Sequence, residues 1–600
     1  MCGFLTAIHT QTPWSRLRFD QARDTMTHRG PDGAGSAFRQ GDLVALGHRR
    51  LAILDLTSAG AQPMQRGEQW VVFNGEIYNF PALRQELEQQ GCVFTSRTDT
   101  EVLLHGYRVW GDRLPNHLAG MFAFCIWDEG SKTLFAARDH AGQKPFYYYY
   151  DHKQFIAASE PKAIFSLLGG RPRMRREAMK EFLIYDDIPD PHTWYHGLQS
   201  LQPGHKLKLS AGSLLGEPAV SEYWSFRPPE RPVRLNSRAA REQLGNLLTR
   251  SVKMHLLADV EVGAFLSGGL DSSGVVALAS GARPEPVKTY SIGYKGDVGE
   301  LPLAGQVAKL WGCAHHESLI SEGGMAAAFE RSLDIFDMPF GDSSQFPTYA
   351  VAAFAARDVK VVLTGDGGDE VFGGYWSLGR FMGNPPLAAD NLFAFLSWLK
   401  HWTERKRAWQ GSYNFGHCMA DNAAADRMLG PEFKDLQAYD GWWFYKQHWL
   451  PELDPFRRAQ WSDFKCYLPT VLKKVDRCTM QHSLEARCPL LLPELIEFML
   501  SLPTPIKNPK GEFKYLYREW LRRSNLVPAS LLNAPKSGFG ISSIVANEFR
   551  GSERLWACVN TARRNGWISS AGYVAAQREW TCAWRMALIG AALERGVLRE

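Results

Sequence analysis

The chain has ten cysteines in 600 residues, but no CxxC pair and no cysteine–histidine spacing of the kind that holds zinc. Neither a metal cage nor a disulfide framework is signalled, and scattered thiols suit a reducing compartment. No run of 18 or more apolar residues appears, and the segment after Met1 turns polar too soon for a secretory signal. The expectation is a cytoplasmic protein with no membrane partner. A net charge of +5 over this length is not a concentrated basic patch, which argues against nucleic-acid binding. The basic cluster at positions 171–176 reads as solvated surface. No fixed-period repeat is visible, and 45% hydrophobic with 22% charged residues is the composition of a folded globular protein.

Such a length exceeds one hydrophobic core, so two large domains are expected. Up to Trp224, short apolar and β-branched runs alternate with turns, as at Trp70 to Phe73 and Phe122 to Trp127. This pattern predicts an α+β unit rich in antiparallel strands, residues 2–224. FRPPERPVRL, Phe226 to Leu235, carries three prolines and three arginines and predicts a linker at 225–236. From Ser237 the period becomes helical, with Leu244, Leu247, Leu248, Val252 and Leu256 on one face. Three apolar strands then each run into a loop, VEVGAFLSGG, VKTYSIGY and VKVVLTGDGG, which predicts βαβ units with a parallel sheet in residues 237–600.

Cys2 becomes the first residue if the initiator methionine is removed. Its thiol then shares a residue with a free α-amino group, whose ordinary pKa of about 7.7–8.0 suits proton transfer at neutral pH. Downstream lie HRGPDG (His28 to Gly33), GHRRLAILD (Gly47 to Asp55), FNGEIYN (Phe73 to Asn79) and RTDTEVLL (Arg97 to Leu104). A glutaminase must hold its substrate's α-carboxylate and α-ammonium and stabilise a tetrahedral oxyanion. Arg50 can fork onto the carboxylate, Asp99 can pair with the ammonium, and Asn74 with the Gly75 backbone amide can form the oxyanion hole. Together these blocks resemble the class II glutamine amidotransferases, whose domain is an N-terminal-nucleophile hydrolase. The resemblance runs through most of residues 2 to about 200. It implies that Glu76 is on the glutamine side, and its Arg-Leu pair selects Arg50 over Arg49.

In the second half, SGGLDSS (Ser267 to Ser273) follows a strand and precedes a helical run. Glycines let the backbone approach an anion, and a helix N-terminus adds donors, which makes a pyrophosphate cradle. The GKS or GKT ending of a Walker A loop is missing. The block resembles the PP-loop of enzymes that cleave ATP to AMP and pyrophosphate. TGDGGDEVFGG (Thr364 to Gly374) is a second strand-end loop. Adenylation needs Mg²⁺ on the phosphates, and Asp271 with Asp369 is the natural pair to hold it. Asp366 and Glu370 remain for substrate orientation or proton handling.

With YLPTVLKKVDRCTMQHSLEARCPLL (Tyr467 to Leu491) and KSGFG (Lys536 to Gly540), the order of blocks resembles asparagine synthetase over most of residues 237 to 545. That resemblance implies ATP and Mg²⁺ as cofactors and Ser267, Gly268, Gly269, Asp271, Ser272, Ser273, Ile292 and Gly365 around the nucleotide. It implies Asp366 in catalysis and Lys536 on the pyrophosphate-leaving transition state. It also admits a homodimer. Arg477, Glu485 and Arg487 could bind charged substrate groups or form an internal ion-pair network. The implied reaction joins a carboxylate, L-aspartate first, to ammonia from glutamine, with an apolar interdomain passage expected for the ammonia.

Two positions depart from the family. Leu492 stands where an acidic residue commonly closes V-P-F-L-D, and Met338 follows Asp337 where an acid is usual. These changes fall on the acceptor side. The alternative is a relative with another acceptor, such as a lasso-peptide cyclase or β-lactam synthetase that closes an internal amide. Those enzymes need no ammonia, so a complete glutaminase set argues against them. A non-catalytic scaffold is opposed by intact Cys2, Asp271 and Asp369.

Overall fold

In the computed structural model, described residues are 2–211, 215–295, 299–320, 324–375, 419–509, 511–535, 540–541 and 543–599. The N-terminal half builds two six-stranded antiparallel sheets. Their strands are β1 (Gly3–His9), β2 (Gly33–Arg39), β3 (Val44–Arg50), β4 (Met64–Arg66), β5 (Gln69–Ile77) and β6 (Gly120–Asp128). After these come β7 (Thr133–Arg138), β8 (Tyr147–Tyr150), β9 (Gln154–Ala158), β10 (Leu198–Ser200), β11 (His205–Ser210) and β12 (Ala219–Glu222). The orders are β10-β8-β9-β1-β3-β2 and β12-β11-β7-β6-β5-β4.

The sheets stack face to face, and alternation along each strand explains why nearly every residue of β1 is buried. Phe4 and Ile8 point into the core between the sheets with Leu46, Val72, Cys125 and Leu134. Leu5 and Ala7 point the other way, toward Phe165 and Phe182 of the helices Pro161–Leu168 and Glu177–Tyr185. Helices Phe80–Gln89 and Thr100–Trp110 cover the far side of the second sheet through Leu83, Leu87 and Val102. The resulting four-layer helix–sheet–sheet–helix unit is the N-terminal-nucleophile architecture.

No helix or strand lies between Glu222 and Ser237. The helix Ser237–His255 follows, capped by the Asn236 side chain on the Ala239 amide at 2.8 Å. Leu244, Leu248 and Val252 bury its inner face. Five strands, β13 (Val262–Phe265), β14 (Lys288–Tyr294), β15 (Ala314–Ile320), β16 (Val361–Leu363) and β17 (Glu485–Arg487), form one sheet in the order β15-β14-β13-β16-β17. Every pairing in it is parallel. The chain winds outward in one direction from β13 through β14 and in the other from β16 to β17. That reversal opens the crevice beyond the ends of β13 and β16 where such sheets bind ligands.

The C-terminal helices Glu553–Arg564 and Trp580–Glu594 pack back onto the N-terminal unit. Arg585 Nη1 donates to the Leu183 carbonyl at 2.6 Å, and Trp584 Nε1 to Gly341 at 2.7 Å. Trp442, Trp567 and Trp584 are buried in this shared core as packing residues. No helix among the described residues is long and apolar enough to cross a membrane.

Candidate active sites

Cys2 stands at the entrance of β1. Gly3 pairs with Arg49 on β3, so continuing the register by one residue sets Arg50 beside Cys2. The Cys2 backbone N–H donates to Asn74 Oδ1 at 3.2 Å. Asn74 is buried on β5 of the opposite sheet, and its Nδ2 has no acceptor among the described residues. A buried unpaired amide donor costs about 1–3 kcal/mol, and a substrate oxyanion could satisfy it. Gly75 has φ +152°, and a Cβ there would lie 2.0 Å from the Met121 carbonyl, so the backbone at this point tolerates no side chain. Burial pushes the Cys2 thiol above its ordinary value, which leaves it dependent on a nearby base.

Asn74 and Glu76 are two apart on β5 and therefore share a face. Asp99 joins them, accepting from the Ile77 amide at 2.8 Å and the Thr98 hydroxyl at 3.1 Å. Burial lifts the Asp99 carboxyl to about 6. Arg50 is brought near but is engaged with its own loop. Nη1 donates to the Thr57 carbonyl at 2.7 Å, and Nη2 to Leu54 at 3.3 Å and to Asp55. Arg49 points elsewhere, to the Gly30 carbonyl and Asp24, as strand alternation requires. If Asp99 holds the glutamine ammonium, Asp99→Asn raises the KM for glutamine by about 10- to 100-fold, the scale of a lost charged hydrogen bond, while ammonia-supported turnover changes far less. The wild-type KM should also climb as pH falls below about 6 and Asp99 protonates, a limb absent from Asp99→Asn. Equal loss with both nitrogen sources would mark Asp99 as structural.

Residues of the second domain reach this pocket. Arg29 holds the Cys2 carbonyl at 3.0 Å with Nε, Glu160 at 2.9 Å and Asp476 at 2.8 Å with Nη1. Arg477 bridges Asp337 at 2.9 Å and Glu160 at 3.3 Å. Arg487 contacts Glu485 at 2.6 Å and Glu76 at 3.3 Å. Of the two roles open for Arg477, Glu485 and Arg487, the structure has them in an internal network. Tyr78, Met121 and Met480 form an apolar patch there, alongside buried Arg29, Lys144, Asp476, Glu485 and Arg487.

The second site lies at the ends of β13 and β16. The loop after β13 braces itself, with Ser267 Oγ and Ser272 Oγ 3.1 Å apart and the Gly269 amide on Ser267 Oγ at 3.2 Å. Gly268 has φ +80°. The Ser273 hydroxyl is buried with no partner among the described residues. The loop after β16 presses against it. A Cβ on Gly365 would lie 2.6 Å from the Ser272 amide nitrogen, and one on Gly368 2.5 Å from Asp271 Cγ. Asp271 and Asp369 meet on one cation, Lys514 Nζ, which is 2.8 Å from Asp369 Oδ1 and also bonds Asp271. Burial would depress the Lys514 ammonium, but the two carboxylates outweigh it and keep it charged. No sequence block pointed to Lys514. Ile292 lies near the ligand end of β14, opposite Ser318.

Two carboxylates converging on one positive charge fit Mg²⁺, an ion that uses one or two protein carboxylates and takes its other ligands from phosphates and water. No group of three or more His, Cys, Asp or Glu suited to a metal occurs among the described residues. Burial raises the Asp366 carboxyl, with Lys474 opposing, and pushes Glu370 to about 8 beside a Tyr375 hydroxyl at 2.6 Å. Lys474 donates to Ser344 at 2.8 Å and lies 3.6 Å from Asp342. Leu492 and Met338 are both buried in apolar cores. The Lys536 assignment lies outside the described residues.

The Asparagine synthase family matches residues 243–578, and the Glutamine amidotransferase domain family residues 1–224. The chain is 30% identical over 566 residues to asparagine synthetase [glutamine-hydrolyzing] 1 of Bacillus subtilis, covering 90% of this chain and 87% of that protein. It is 32% identical over 578 residues to a putative asparagine synthetase [glutamine-hydrolyzing] of Mycobacterium tuberculosis, covering 90% and 86%. Similarity also extends to the amidase chyE of Penicillium rubens, at 26% identity over 90% of this chain and 85% of that protein.

Proposed function

The chain belongs to the asparagine synthase family, and on that premise we propose that it is a glutamine-hydrolysing carbon–nitrogen ligase. It joins glutamine-derived ammonia to a carboxylate acceptor, L-aspartate first, giving L-asparagine, L-glutamate, AMP and pyrophosphate. The observation that carries this reading is the meeting of Asp271 and Asp369 on the Lys514 ammonium at the sheet's ligand edge. The two carboxylates and the buried cation stand on the strand-end loops at the sheet's switch point, where parallel sheets of this kind bind nucleotides.

At the N-terminal site the Cys2 thiol gives its proton to the α-amine of the same residue and attacks the glutamine carboxamide carbon. Asn74 Nδ2 and the Gly75 amide receive the oxyanion, Glu76 and Asp99 hold the ammonium end, and Arg50 is the candidate for the carboxylate. Ammonia leaves, and water releases glutamate from the thioester. At the second site Ser267 to Ser273 and Gly365 cradle ATP beside Ile292, and Asp271 and Asp369 would hold Mg²⁺, which when bound neutralises phosphate charge. The acceptor carboxylate attacks the α-phosphorus, pyrophosphate departs, and ammonia then displaces AMP from the acyl adenylate. Lys514 offers its charge to the leaving phosphates, with Lys536 as the further candidate. Asp366 and Glu370 orient the acceptor or handle protons.

The test is pyrophosphate release with ATP, Mg²⁺ and glutamine across a panel of carboxylates. Aspartate should give the strongest stimulation. Release with a peptide or sugar acid but none with aspartate would replace the asparagine assignment by the second reading, a relative acting on another acceptor. Leu492 does not decide between the two, since it stands at the N-cap of the helix Pro493–Ser501 with its side chain buried in an apolar core.

A further inference from the structure

Arg487 belongs to the parallel sheet of the second domain, yet one arm of its guanidinium reaches the first. Its guanidinium is fully buried. Nε donates to Glu485 at 2.6 Å, Nη1 to the His255 and Leu257 carbonyls at 2.8 and 2.7 Å, and Nη2 lies 3.3 Å from Glu76 Oε1. The Glu76 carboxylate stands two residues from Asn74 on the glutamine side of β5. At its other end, Arg487 offers its carbonyl to the Thr364 amide at 2.9 Å, and Thr364 opens the acidic loop that carries Asp366 and Asp369. One residue therefore touches both candidate sites, by one guanidinium arm on Glu76 and by its backbone on the acidic loop.

Resting on the glutaminase reading above, we infer that Arg487 is a positioning residue for glutamine. Delivered by β17 of the synthetase sheet, its guanidinium holds the Glu76 carboxyl in place as a wall of the N-terminal pocket, and so ties glutamine binding to the acidic loop. The reason is electrostatic. Glu76 faces Asp99 and Cys2 from its own domain and Glu485 from β17, with Lys144 acting on Glu485, the chain's amino terminus acting on both glutamates, and the His255 ring tilted against Tyr78 at 3.9 Å. Burial and the charge of Glu485 push the Glu76 carboxyl well up, and Arg487 is the nearest cation pulling it back. The same guanidinium steadies Asp99. A coupling free energy through this link is reciprocal: nucleotide at the end of β16 changes the affinity for glutamine by the same factor as glutamine changes the affinity for nucleotide.

The experiment measures glutamate release, which needs no acceptor. In Arg487→Gln the KM for glutamine should rise at least about tenfold, and the acid limb of kcat/KM should move up by about one pH unit or more, because losing an adjacent cation favours the protonated carboxyls. Arg487→Lys keeps the charge and should leave that limb near its wild-type position. Pairing Arg487→Gln with Glu76→Gln should cost clearly less than the sum of the two single changes. Unmoved KM and limb in Arg487→Gln, or the same limb shift in the Gln and Lys variants, would overturn the inference. If the Gln variant does not fold, the wild-type protein provides the test: saturating ATP with Mg²⁺ should change the glutamine KM by on the order of threefold, and an identical KM rejects the coupling. Absence of glutamate release by the wild-type protein would overturn the glutaminase reading itself, a distinct result.

Discussion

Cys2→Ala loses glutamine hydrolysis by at least roughly a thousandfold while pyrophosphate release and amide formation from added ammonium chloride persist. The nucleophile is needed only to form and break the glutamyl thioester, and nothing at the ends of β13 and β16 depends on it. The Cys2 main chain makes the structural contacts, its N–H to Asn74 and its carbonyl to Arg29. Alanine keeps both, so the fold survives the change. A second consequence follows from the thiol. Burial holds it protonated, so catalysis needs a base close by, and the α-amine exists on this residue only after Met1 is removed. Protein retaining Met1 should therefore be inactive as a glutaminase, which intact-mass measurement beside a glutamate assay will reveal. Hydrolysis retained by Cys2→Ala, or by a fully Met1-bearing sample, would remove Cys2 from its assigned role.

The second large effect is expected at the acidic pair. Asp271→Asn and Asp369→Asn should each slow adenylation by at least roughly a hundredfold, the scale for losing an electrostatic partner of the transition state. Each variant leaves Lys514 one carboxylate, so the buried ammonium is not stranded and folding should tolerate either change. Glutamine hydrolysis at Cys2 should largely survive, since that chemistry uses no metal. Pyrophosphate and glutamate release measured side by side in each variant separate the two activities. Near-normal pyrophosphate release in both would contradict a shared role at the phosphates.

What was legible in the sequence lay in short blocks whose chemistry is local. Cys2, Asn74, Gly75, Glu76 and Asp99 sit in contiguous motifs on β1, β5 and the helix after Arg97, and the two sheets need only stack to bring them together. The loops after β13 and β16 could be paired from strand–loop–helix order alone, because a parallel sheet sends both to one edge. Lys514 was not legible. It stands in an unremarkable GEFKYLY stretch, and a left-handed backbone, φ 52° and ψ 31°, at the start of a helix aims it at Asp271 and Asp369. Arg50 was placed beside Cys2, but the carbonyls of its own loop, which take up its fork, carry no residue-type signature. An ion-pair network of Arg477, Glu485 and Arg487 is one of two roles open in the sequence, but its extension across the seam between the domains carries no local signal, because pairs such as Arg29 with Asp476 join residues 447 positions apart. The C-terminal helices carried no motif, and their packing onto the N-terminal unit depends on shape and apolar area rather than on any pattern of chemistry.

Glutamine labelled with ¹⁵N at the side-chain amide, incubated with ATP, Mg²⁺ and aspartate, tests the two-site account most directly. ¹⁵N should appear in the new side-chain amide, with AMP and pyrophosphate formed in equal amounts, while Cys2→Ala should transfer no label and form amide only from added ammonium. Glutamate formed without acceptor-dependent pyrophosphate, for every carboxylate offered, would contradict it.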